Sequence, residues 1–220
     1  MERKIALSIL ALTLLAIGIA IIMPGGRQVD TDPKLPWLIG VNADGSSTVF
    51  GLTLGKSSVA DARKLLEEEG EVTLFMDPDG GLTIEVYFQR VVLSGLKADM
   101  VMTADLTQQE MQPMFDRGTR ISKLGSGERK VTLRPEDIDA VVAAPIRHLT
   151  YLPVANLDSD LIESRFGTPA QRIAEKSGAT HWLYPEQGLD IAVDPERREV
   201  FQYVAPKDFE RLVVEGLREE

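Results

Sequence analysis

Two histidines, His148 and His181, are the only imidazoles in a chain of 220 residues. Neither stands in an H-x-x-x-H or H-E-x-x-H spacing, the arrangement that brings two ring nitrogens to one metal from a single helix face. His148 alternates with apolar neighbours in "IRHLTYLPV", and His181 precedes Trp182 in "THWLY". Both are expected at surface or rim positions on strands. The chain has no cysteine, so thiolate nucleophiles, Cys-ligated zinc, iron–sulfur clusters, disulfides and an acylated lipoprotein cysteine are all excluded. Gly55-Lys56-Ser57 has the tail of a phosphate-binding loop. That loop also needs a glycine where Phe50 stands, and Gly51 is one position out of register. Ser57 or Ser58 is better explained as a helix N-cap. "DPDGG" at Asp77–Gly81 lacks the downstream bidentate Glu of a calcium loop and reads as a hairpin turn. No G-x-S-x-G nucleophile elbow exists. Glu67, Glu68 and Glu69 close a helix, where they are solvated. The expectation is therefore no catalytic residue, no metal site and no cofactor.

The side chains with most to offer are aromatic. Trp182 and Tyr184 share one face of a strand, and so do Phe201 and Tyr203 on the next. An exposed face of this kind would suit a protein partner. The four are the candidate partner-binding residues, and the same alternation also describes a core face.

Short helices and hairpins must position them. Ser57 or Ser58 opens a helix with Val59, Ala62, Leu65 and Leu66 on one side and Gly70 as its stop. "EVTLFM" and "LTIEVYF" flank the Asp77–Gly81 turn, with Leu82, Ile84, Val86 and Phe88 on one face. Thr107 and Glu110 form a capping box, and Pro113 limits the helix that follows. "TRISKL" and "KVTL" make a hairpin. Pro135 starts another helix and Pro145 ends it. Asp158 caps "LDSDLIESRF", which presents Leu161, Ile162 and Phe166 and stops at Gly167-Thr168-Pro169. "AQRIAEKSG" is a helix or a strand. "KDFERLVVEGLREE" closes the chain as an amphipathic helix with Phe209, Leu212, Val213 and Leu217 inward. Both halves run helix, glycine stop, then strand–turn–strand.

The first residues have a separate character. Ile5–Met23 is an uncharged apolar run preceded by Arg3 and Lys4. As a helix it would span roughly 28 Å, close to a bilayer core of about 30 Å. The positive-inside rule would keep the N-terminus in the cytoplasm. The expected plan is a signal anchor over 1–26, a linker over 27–36, a first α+β unit over 37–145 and a second over 146–220. The fold class is α+β: a transmembrane helix and one or two units of a helix with an antiparallel meander. The expected location is the inner membrane, single-pass, with the soluble part in the periplasm. Net charge is −10, which argues against nucleic acid, whose affinity rests on Lys and Arg.

"LDSDLIESRFGTPAQRI", "HWLYPEQGLDIAVD" and "EVFQYVAP" together resemble the SmpA/OmlA (BamE-like) family over Ala155–Lys207. The resemblance implies helices packed on a three-stranded antiparallel sheet and no catalytic residue. Tandem copies of that fold also look like the two-repeat β-lactamase inhibitor protein. Protein–protein contact is the role both imply. The expected function is an exported, membrane-anchored accessory or scaffolding subunit for another envelope or inner-membrane protein. The alternative is a periplasmic inhibitor or sensor of an envelope enzyme. No small-molecule substrate is expected.

Overall fold

The computed structural model describes residues 31–194 and 196–219, together with Thr13, Ile17 and Gly18. Two compact units divide the chain, Met1–Asp32 and Pro33–Glu220. Every strand lies in the second. Ten strands form one antiparallel sheet, with apolar alternation clearest in β5 and β6: β4 (Glu71–Met76), β5 (Leu82–Leu93), β6 (Leu96–Ala104), β7 (Arg120–Lys123), β8 (Arg129–Thr132), β9 (Ile146–Pro153), β10 (Gln171–Ala174), β11 (Thr180–Tyr184), β12 (Leu189–Val193) and β13 (Val200–Val204). Their spatial order is β10-β11-β12-β13-β9-β6-β5-β4-β8-β7. A smaller sheet joins β1 (Gly40–Val41), β2 (Ser47–Val49) and β3 (Leu52–Thr53).

Among the described residues of the unit Pro33–Glu220, helices are few and short. They are α1 (Val59–Leu66), α2 (Gln108–Asp116), α3 (Pro135–Ala143), α4 (Ser159–Phe166) and a closing helical segment. Ser58 and Thr107 complete reciprocal capping boxes with Asp61 and Glu110, and the Asp158 side chain caps α4. These caps satisfy amide donors that the first helical turn leaves unpaired. The closing segment is a 3₁₀ turn (Pro206–Asp208), a π-helical stretch (Glu210–Val214) and α5 (Glu215–Glu219).

One face of the large sheet carries the main core. Two cross-strand rows run over six strands. The first is Trp182, Ile191, Phe201, Tyr151, Met100 and Phe88. The second is Tyr184, Leu189, Tyr203, Leu149, Met102 and Val86. All twelve side chains are buried, and each contributes roughly 1.5–3 kcal/mol relative to exposure. Val59 and Ala62 of α1, Ile162 and Phe166 of α4, and Val49 and Leu52 of the small sheet complete the same cluster. On the opposite face a second cluster forms where Phe209, Val213 and Val214 cover Leu183 and Val204.

Two expectations are corrected here. The structure is mostly one large antiparallel sheet, in place of one or two small helix-plus-meander units. The reason is β9, which pairs with β13 on one side and with β6 on the other. It joins the β11–β12–β13 and β4–β5–β6 meanders edge to edge. The second correction concerns the membrane. Among the described residues no helix is long and apolar enough to cross a bilayer. That overturns the transmembrane signal anchor and the single-pass inner-membrane location. The run Ile5–Met23 on which they rested lies outside the described residues, apart from Thr13, Ile17 and Gly18.

Candidate functional site: an apolar groove with a basic rim

The four candidate partner-binding residues do not form a surface patch. Trp182, Tyr184, Phe201 and Tyr203 are all buried, none more than 7 % exposed. Both pairs face the same side of the sheet, because β11 and β13 are two strands apart and keep the same pleat. The two tyrosine hydroxyls are satisfied internally. Tyr184 donates its hydroxyl to the Gly167 carbonyl at 3.0 Å, and Tyr203 donates to the Pro36 carbonyl at 3.0 Å. The Arg172 guanidinium lies 4.2 Å above the Trp182 ring.

These aromatics instead support a groove built from four distant segments. Tyr203 pins the turn in which the Leu38 amide donates to the Leu35 carbonyl at 3.1 Å. That turn places Pro36 and a half-buried Trp37 over the core. Beside it, the last bond of the β6–β9 pairing runs from the Val154 amide to the Lys97 carbonyl at 2.9 Å, which sets Lys97, Pro153 and Val154 on one rim. Ser94 and Gly95 turn the β5–β6 hairpin with φ of 47° and 84°. The Lys34 amide donates to the Ser94 hydroxyl at 2.6 Å, tying this hairpin to the Trp37 segment. Helix α4 forms the far wall with Leu161 and Arg165. Its start is held by the Leu157 amide donating to Glu199 at 3.0 Å. The Arg165 guanidinium sits 4.8 Å from the Trp37 ring centre, a cation–π contact.

The groove encloses about 390 Å³ and its floor includes Tyr151. Tyr151 stacks at 5.2 Å on Phe50 and edge-on at 5.8 Å against Phe201. Burial pushes its hydroxyl up to about 12, so it stays protonated and is a poor base. Among the described residues, the only charged groups lining the groove are Lys97 and Arg165. Among the described residues neither makes an ion pair. A volume of this size, apolar with few polar groups, suits the capture of an apolar group. Two cations and a phenol offer no paired nucleophile and base.

Sequence reasoning missed this site. Leu161 was grouped with Ile162 and Phe166, but it is 38 % exposed while they are buried. Trp37, just after the Pro-containing linker, is the one signal that marked the place. Of the two histidines, His181 departs from the expected surface or rim position. His181 is buried, and its Nδ1 lies 2.7 Å from Asp190 Oδ2. His148 has its Nε2 buried without a partner, although other parts of the side chain reach the surface. Burial, aided by Arg147, pulls it down to about 4. The Gly55–Ser57 motif is turn chemistry, with the Ser57 hydroxyl accepting from the Thr53 amide at 2.9 Å. Asp77 likewise accepts from the Asp79 and Gly81 amides at 2.9 and 2.7 Å, as a hairpin turn does.

No family model matches the chain, and no curated protein or solved structure matches it.

Proposed function

We propose that this chain is a non-enzymatic protein-binding module. Its groove takes an apolar stretch of a partner protein flanked by carboxylates. The observation that carries this reading is the charge of the site: among the described residues, two cations without ion-pair partners and no carboxylate line an apolar groove, in a chain of net charge −10. Opposite charges at a rim set orientation and partner choice, while a buried aromatic anchor supplies most of the affinity. Trp37, with Arg165 stacked on it, is that anchor. The resemblance of Ala155–Lys207 to SmpA/OmlA proteins points to the same kind of role.

Trp37 also reports on the groove. The chain has two tryptophans, and Trp182→Phe leaves Trp37 as the sole emitter. A heptapeptide with Leu and Phe at its centre and Asp and Glu at its ends should shift and saturate the Trp37 emission. The same peptide with Lys ends should bind about tenfold or more weakly. Equal responses to both peptides, or none, would refute the reading.

A further inference from the structure

The large sheet ends at β7, which among the described residues pairs only with β8. This edge lies four strands from β6, about 19 Å across the sheet, and is separate from the groove.

Register decides what the edge offers. The Leu124 amide donates to the Glu128 carbonyl at 2.8 Å, and Gly127, with φ of 97°, closes the turn between them. Leu124 and Glu128 are thus a hydrogen-bonded pair. Such pairs alternate along an antiparallel ladder, so Ser122 bonds with Lys130 and Arg120 with Thr132. The amides and carbonyls of Ile121 and Lys123 therefore point outward, away from β8. Ile121 is also 53 % exposed. Unpaired backbone groups beside an exposed apolar side chain are a template for one more strand.

Charge selects the strand. Residues 119–134 hold Arg120, Lys123, Arg129, Lys130 and Arg134 against one acid, Glu128, in a chain of net charge −10. Lys130 pairs with Glu71 at 2.9 Å and Arg134 with Glu136 at 3.7 Å. Among the described residues Arg120, Lys123 and Arg129 make no ion pair. Lys123 and Arg129 stand directly opposite each other in a non-hydrogen-bonded pair. That is where side chains come closest and like charges repel. Glu128 accepts the Ser126 hydroxyl at 2.9 Å and relieves neither. A carboxylate on an added strand, set opposite Lys123, would neutralise the pair. A second copy of this edge brings its own Arg120 and Lys123, and adds to the repulsion. We infer that the β7 edge takes an extended acidic segment of a partner protein as a further antiparallel strand. Its carboxylates lie at Lys123 and Arg120, with an apolar residue beside Ile121.

The peptide Thr-Glu-Thr-Val-Glu-Thr with blocked ends has this pattern. Laid antiparallel, it sets its first Glu opposite Lys123, Val opposite Ile121 and its second Glu opposite Arg120. Amide-resolved hydrogen exchange on the full chain reads β7 directly, so occupancy of the groove does not register. Saturating peptide should slow exchange at Ile121 and Lys123 at least tenfold, with Kd on the order of 1 mM. The Ser122 amide, already bonded to β8, should not change. N-methylation of the peptide valine removes the N–H that donates to the Ile121 carbonyl, and should weaken binding at least tenfold. Exchanging both Glu for Lys should do the same. Lys123→Glu should abolish the protection yet raise Tm, because it turns the repelling pair into an ion pair with Arg129. Unslowed exchange at Ile121 and Lys123, equal binding of the N-methylated or Lys-exchanged peptide, or full binding by Lys123→Glu would overturn the inference. The cations would then be a guard against edge pairing.

Discussion

At the residue scale, the aromatic side chains divide into two groups with different work. Phe201 is fully buried and touches Tyr151 beneath the groove, whereas Trp37 is half-buried and forms the groove wall. Phe201→Ala is expected to destabilise the fold by about 3–5 kcal/mol, through lost burial and the cavity left behind. Trp37→Ala should change stability by only about 1 kcal/mol but lower affinity for the acidic-flanked peptide by roughly 2 kcal/mol, near thirtyfold. Urea denaturation beside peptide titration separates the two. Equal stability losses would mean that Trp37 is core, and that the groove is a packing defect. The aromatic positions were legible in the sequence. Their exposure was not, because alternation gives a face but not what covers it.

At the element scale, local chemistry was the most legible. Ser58, Thr107 and Asp158 cap their helices because each signal involves a side chain and an amide only three residues away. The alternation of Leu82, Ile84, Val86 and Phe88 likewise reads directly as the buried face of β5. The β11–β12 turn shows a tighter demand. Gly188 has φ of 67°, and a Cβ there would come within 2.1 Å of the Val204 carbonyl oxygen. That oxygen accepts the Ser47 hydroxyl at 3.1 Å, so the turn is packed against the small sheet. Gly188→Ala combines left-handed backbone strain with a backbone clash and should cost several kcal/mol, on the order of 3. A thermal melt checks it, and an unchanged Tm would show that the turn can relax.

At the scale of the whole molecule, the sequence was least informative. Each half reads as a helix and a meander, and nothing local in "IRHLTYLPV" says that β9 bridges β6 and β13. The groove is illegible for the same reason, since Trp37, Lys97, Tyr151 and Leu161 meet only in the fold. The apolar run Ile5–Met23 was a compositional pattern, and the membrane plan built on it is not carried by any described helix. Burial on this scale also sets a pH dependence. His148 falls from 6.5 in the unfolded chain to about 4 in the fold. Its contribution is complete above about pH 6.5 and is lost as pH falls toward 4, because the unfolded chain then binds the extra proton. The loss is at most about 3 kcal/mol. His148→Gln should flatten that acid limb in urea titrations at a series of pH values, and an unaltered limb would place the titration elsewhere. His181 acts with the opposite sign. Its raised value gives stability that is present below about pH 6.5 and lost as pH rises through the folded value.

The groove and its basic rim are the centre of the account, and one charge-swap experiment tests them most directly. Lys97→Glu with Arg165→Glu reverses the rim on two exposed side chains, leaving the core intact. Calorimetric titration of both proteins with both peptides forms a complete cycle. The expected result is an exchange of preference: the native rim binds the acidic-flanked peptide about tenfold or more tightly, and the reversed rim binds the Lys-flanked one. Unchanged preference in the reversed protein would contradict the claim that this groove selects an apolar segment by its flanking carboxylates.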